Sequence, residues 1–224
     1  MSECYAGERQ KSQNKNWTES YVAWSPKGQY LATFHRQGIM LWGGDDFREL
    51  GRFLHPDVKL IQFSPCERYI VTFNGVEAVS KNDPECLMIF DVRSGKKLRG
   101  FAGGYSLTKQ KRWPIFKWSP NDKYVARLGQ DSISVYETPS MNLLQGGSLK
   151  TPRAVDFEWS PSQDIISYWS PEKDNTPASV SLIAIPSRER VREKRLFNVE
   201  NVRQLNHPFF KRPFLLTLSY FLLV

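Results

Sequence analysis

The sequence predicts an all-β fold assembled from one repeated unit of short strands. Three observations carry that prediction. Apolar residues alternate with polar or small ones at a period of two, as on a strand with one buried face. An aromatic residue followed by Ser-Pro recurs four times along the chain. No stretch sustains the i, i+3, i+4, i+7 apolar spacing of an amphipathic helix over several turns. The 14 glycines, 14 prolines and 13% aromatic residues suit many short strands joined by turns.

The first unit spans about residues 17–53. Val22 and Trp24 alternate with their neighbours and lead into Ser25-Pro26-Lys27-Gly28. Ser, Pro and Gly at turn positions i, i+1 and i+3 are what a type I turn requires. Apolar runs follow at 30–34 and 39–42, with a weaker one near Leu50 and Phe53. The second unit, about 58–101, repeats the plan through Phe63-Ser64-Pro65, residues 69–73 and Met88-Ile89-Phe90-Asp91. The third, about 113–149, does so through Trp118-Ser119-Pro120, Tyr124-Val125-Ala126 and Ile133-Ser134-Val135-Tyr136. The fourth, about 153–199, uses Trp159-Ser160-Pro161, residues 165–169 and Val180-Ser181-Leu182-Ile183. Trp24, Phe63, Trp118 and Trp159 are spaced by 39, 55 and 41 residues. Four-stranded blades of WD-repeat propellers recur every 40–45 residues or so. The long middle spacing is absorbed by loops at 74–85 and 102–113. The fold is therefore expected to be a WD-repeat-type β-propeller with four blades of a larger ring.

The four repeated aromatics Trp24, Phe63, Trp118 and Trp159 are expected in the core. A side chain of this kind buries about 150–250 Å², worth several kcal/mol at about 25 cal/mol per Å². Residues 1–16 are polar, with no secretory signal, and are expected to be disordered. Three cysteines (Cys4, Cys66, Cys86) lack framework spacing, which points to a reducing compartment without disulfides.

The net charge of +8 is concentrated. Lys96, Lys97, Arg99, Lys109, Lys111 and Arg112 lie in one run with no acidic residue between them. Arg188, Arg190, Arg192, Lys194 and Arg195 form a second run against Glu189 and Glu193. Clustered cations attract phosphate backbones, so both runs are candidate contacts for RNA or a charged partner. The alternative is a solvated outer strand.

No catalytic constellation emerges. His35, His55 and His207 have no second ligand at metal spacing. There is no Gly-x-Ser-x-Gly elbow. Gly103-Gly104 precedes a basic stretch without the spacing of a phosphate-binding loop, and no helix N-terminus follows it. Neither enzyme, cofactor nor metal is expected.

Specific blocks go further than the fold. NWTESYVAWSPKGQYLATFHRQGIMLWGG, VKLIQFSPCERYIVTF, WPIFKWSPNDKYVAR, ISVYETPSM and LFNV occur in that order over 17–199. They resemble the propeller of the B-subunit family of eukaryotic translation initiation factor 3. The resemblance implies a non-enzymatic, cytoplasmic scaffold that assembles with other subunits, the small ribosomal subunit and messenger RNA, and no membrane. It also implies a nine-bladed ring, of which four blades would form an open arc with exposed end faces. The RNA-recognition-type domain and helical docking segment of that family are not expected in these residues. A generic WD-repeat adaptor shares the fold but not these blocks.

After Val199 the pattern breaks. Residues 200–224 end in an uncharged run from Phe214 to Val224, too short for the ~20 residues that span a bilayer. This tail is expected to be aberrant, from a translated intron or a faulty gene model; a non-functional truncated fragment is an alternative to the scaffold expectation. The alternative is a true tail strand packed on an open blade edge.

Overall fold

A computed structural model describes residues 21–75, 86–101 and 113–196. All of these residues are in strands, turns or connections, and none is helical. They fall into two compact units, 1–104 and 105–224, each holding two antiparallel sheets. Every sheet is a meander in which sequential strands are neighbours, save for one divided outer strand in the third. Short turns dictate this order.

In the first unit, blade one comprises β1 (Val22–Trp24), β2 (Tyr30–His35), β3 (Gly38–Gly43) and β4 (Arg48–Leu54). Blade two comprises β5 (Leu60–Phe63), β6 (Tyr69–Phe73), β7 (Leu87–Asp91) and β8 (Lys97–Phe101). Cross-strand register sorts the side chains of a blade onto two faces. Ala32, Phe34, Ile39, Leu41 and Phe53 lie on the back of blade one and pack against Phe63, Ile70 and Phe90 on the front of blade two. Phe53 meets Phe90 edge to face, with ring centroids 5.4 Å apart.

The second unit repeats this arrangement. Blade three holds β9 (Phe116–Trp118), β10 (Tyr124–Gly129), β11 (Ser132–Glu137), β12 (Asn142–Leu143) and β13 (Leu149–Lys150). Blade four holds β14 (Asp156–Trp159), β15 (Ile165–Ser170), β16 (Ala178–Ala184) and β17 (Arg190–Leu196). Tyr124, Ala126, Leu128, Ile133 and Val135 form the back of blade three, against Phe157, Trp159, Ile166, Tyr168 and Ile183 on the front of blade four. The outer strand of blade three is divided into β12 and β13, both paired to β11, around Gly146 and Gly147 with φ of 87° and 86°.

The Ser-Pro turns do more than reverse the chain. In blades one to three the serine hydroxyl accepts the amide N–H of the tyrosine that opens the second strand, at 2.9–3.0 Å. The serine amide in turn donates to that tyrosine's carbonyl at 2.9 Å. The fourth turn residue takes a positive φ in Gly28 (74°), Glu67 (62°) and Asp122 (57°). Gly38 has a different constraint. A Cβ there would lie 2.0 Å from the Phe53 carbonyl oxygen, so β3 and β4 approach only over a hydrogen.

Of the four repeated aromatics, Phe63, Trp118 and Trp159 are 8%, 5% and 6% exposed. Trp24 departs from the expectation at 56%. Within each unit the front-face aromatic of the second blade, Phe63 or Trp159, is covered by the back of the first blade, whereas blade one has no blade before it among the described residues. Trp118→Ala is expected to destabilise the fold by about 3–5 kcal/mol, as for other buried Trp truncations. Denaturant unfolding monitored by circular dichroism tests this, and an unchanged midpoint would contradict it.

Candidate functional site

The front-face aromatics occupy one kind of seam. Tyr30 stacks on Phe63 with centroids 6.5 Å apart and planes 10° from parallel. Tyr124 stacks on Trp159 at 6.1 Å and 8°. The tyrosine is the residue whose amide the Ser-Pro turn holds, so each turn fixes the ring that receives the next blade. In the second unit Trp159 Nε1 also donates to the Lys117 carbonyl at 2.9 Å. Lys117 Nζ donates to Asp156 Oδ1 (2.8 Å), Glu158 Oε1 (2.6 Å) and the Phe157 carbonyl (2.6 Å). Two carboxylates and a carbonyl on β14 thus satisfy a lysine from β9 that is 20% exposed. Its ammonium group also lies 5.2 Å from the Phe157 ring centroid. Position-by-position sequence reading misses this clamp, because Lys117 alternates with Phe116 and Trp118 as an outward-facing polar residue does.

The first basic run is described only in part. Lys96 is in the turn before β8, and Lys97 and Arg99 lie on β8 itself. The Arg99 guanidinium lies over the Phe101 ring, 4.9 Å from its centroid. Asp91 Oδ1 accepts the Ser94 amide and hydroxyl at 2.7 Å each, which shapes the turn that presents Lys96. Lys109, Lys111 and Arg112 lie outside the described residues.

The second run divides three ways. Arg188 is instead a clamp: its guanidinium donates to the carbonyls of Gly146 (2.9 Å), Leu144 (3.3 Å) and Gly147, closing the gap between β12 and β13. Arg190 and Arg195 both pair with Glu193. Arg192 and Lys194 register opposite Leu182 and Val180, on the other side of β17 from Glu193. These surface pairs contribute little to stability. They do reduce the positive field of the run.

Two histidines serve structure. Trp42 Nε1 donates to Thr33 Oγ1 at 2.9 Å, and Thr33 Oγ1 lies 2.8 Å from His35 Nε2. With His35 neutral, the chain runs unbroken from indole N–H through the hydroxyl to an accepting Nε2. In blade two, His55 Nδ1 is 2.6 Å from Thr72 Oγ1. No group of three or more His, Cys, Asp or Glu among the described residues has the arrangement to hold a metal ion. No helix of the described residues is long and apolar enough to cross a membrane.

The repeated four-stranded meanders, Ser-Pro turns and aromatic seams define a β-propeller of the WD-repeat kind. A crystal structure of a eukaryotic initiation factor shares this fold, with a TM-score of 0.66 at 21% identity over 84% of this chain and 48% of that one. No family model matches the chain. At the level of sequence, it is 50% identical over 183 residues to the B subunit of eukaryotic translation initiation factor 3 from Xenopus laevis, covering 82% of this chain and 26% of that protein. It is 45% identical over 188 residues to the same protein of Bombyx mori, covering 84% and 26%. The chain therefore spans about a quarter of the length of the curated relatives it matches. The matched residues belong to the B-subunit family of eukaryotic translation initiation factor 3.

Burial lowers the His35 pKa below its ordinary 6.5, the Arg52 charge lowers it further, and Glu49 opposes them. The folded state therefore favours neutral His35. That contribution to stability is present above 6.5 and is lost as the pH falls through the folded value below it. Denaturation at about pH 7.5 and about pH 5 is expected to show a loss that a His35→Gln variant shows less of. Parallel losses in the two proteins would contradict the assignment.

Proposed function

We propose that the chain acts as a non-enzymatic scaffold segment of the cytoplasmic translation initiation factor 3 complex. In this reading it supports assembly of the initiation complex on the small ribosomal subunit and recruitment of messenger RNA. The observation that carries the reading is the identity of 45–50% to B-subunit sequences across more than four-fifths of this chain. The fold suits the role, since paired blades give a rigid surface held by apolar seams and offer many loops and outer strands to partners. Phosphate contact is assigned first to Lys96, Lys97 and Arg99, where no carboxylate interrupts the run. In the second run Arg188 is committed to carbonyls and Arg190 and Arg195 face Glu193.

The full 224-residue chain is expected to co-sediment with purified small ribosomal subunits, with binding that weakens as salt rises. Lys96→Glu combined with Lys97→Glu is expected to weaken this binding about tenfold or more, by removing two cations and adding two like charges to the phosphates. A chain that stays in the supernatant at low salt would contradict the scaffold reading. Unchanged binding by the double variant would contradict the assignment of the contact.

A further inference from the structure

In an antiparallel meander the turn after the first strand and the turn after the third lie at the same end of the sheet. In blade two these turns are residues 64–68 and 91–96, and they are joined: the Val92 amide donates to the Arg68 carbonyl at 2.9 Å. The first turn of blade one, residues 25–29, is tied to them by the Lys27 amide, which donates to Glu67 Oε1. Three turns distant in sequence therefore meet at one end of the first unit. They present Lys27, Arg68, Arg93 and Lys96 there, with Lys97 at the start of β8, and all five are exposed.

The acidic residues of these turns, Glu67 and Asp91, are turned to structural tasks. Glu67 is 3% exposed and accepts the Lys27 amide. Asp91 Oδ1 accepts the Ser94 amide and hydroxyl that close its own turn. The concentration of cations is particular to this end. The turn after the third strand of blade one carries Asp45 and Asp46 in the corresponding place. In the second unit Lys123 lies 3.9 Å from Asp164, Arg188 is committed to carbonyls, and Ser140 and Met141 occupy the remaining turn. The same topological positions are thus neutral or acidic elsewhere and basic here.

We infer that this end of the first unit grips the phosphate backbone of duplex RNA, with Lys27, Arg68 and Arg93 completing the contact begun by Lys96 and Lys97. The inference rests on the phosphate contact proposed above and adds the surface and the form of the RNA. The three turns contain no aromatic residue, so they offer no platform for an unstacked base. Val92, their one large apolar residue, packs against the core, which leaves no apolar anchor of the kind that holds protein partners. What they do offer is cations alone, and these suit a regular array of phosphates recognised by backbone and shape.

Fluorescence anisotropy of the full chain with a short labelled RNA duplex, across a salt series, tests the proposal. Lys27→Gln combined with Arg93→Gln is expected to reduce the slope of log affinity against log salt by about two. Its circular dichroism spectrum is expected to be unchanged, since both side chains are exposed. Lys150→Gln combined with Lys173→Gln removes the same charge from exposed positions of the second unit and is expected to leave the slope as it is. Single-stranded polyuridylate of the same length is expected to bind more weakly, because its phosphates hold fewer counterions. An unaltered slope in the Lys27 and Arg93 variant, with binding still weakened by Lys96→Glu and Lys97→Glu, would overturn this inference and leave the contact at Lys96 and Lys97 standing. A wild-type chain that binds no duplex at low salt would overturn both. Equal loss in the two glutamine pairs would reduce the effect to net charge and overturn the surface, and polyuridylate bound as tightly as the duplex would overturn the assignment to duplex RNA.

Discussion

In each unit the two blades bury one apolar face of each against the other. The rest of the structure follows from that constraint. Within each unit the first blade supplies a tyrosine at the start of its second strand, and the next blade supplies an aromatic at the end of its first. The rings stack nearly parallel, at 10° and 8°. The Ser-Pro turn makes the stack possible, because the serine hydroxyl fixes the tyrosine amide and so the start of the strand that carries the ring. Local turn chemistry is thereby converted into tertiary registration.

Polar groups at the seams are handled by pairing rather than exclusion. Lys117 would be costly to leave half-buried alone, and it instead joins β9 to β14 through two carboxylates and a carbonyl. Arg188 performs the corresponding task at the rim. Its guanidinium collects three carbonyls from a stretch where the outer strand of blade three is interrupted. Breaking the strand at Gly146 and Gly147 leaves backbone acceptors that need donors, and an arginine from blade four supplies them. Blade-to-blade packing and backbone satisfaction are thus solved by the same contacts.

The strands and turns were legible because their signals are local. Alternation at period two, Ser-Pro at the turns and a spacing near 40 residues can all be read without knowing any neighbour. The same holds for the blocks that mark the B-subunit family. What depends on a partner distant in sequence was not legible. Trp24 carries the same local pattern as Phe63 and Trp159 but lacks a preceding blade among the described residues, so an identical signal leads to an exposed ring. Arg188 reads as one cation of a basic run, yet its partners lie 41–44 residues earlier. Lys117 reads as solvated, and its partners lie 39–41 residues later. Composition reveals charge; only the fold decides whether that charge faces carbonyls, carboxylates or solvent.

The claim on which this account rests is that each stacked aromatic pair couples two blades. A double-mutant cycle on Tyr124 and Trp159, using leucine at both positions and urea unfolding as the readout, measures that coupling directly. The account predicts that the two losses are not additive, with a coupling of about 0.5–1.5 kcal/mol beyond the burial that leucine retains. Strictly additive losses would mean that the rings are buried independently and that the seam is held by general apolar packing alone.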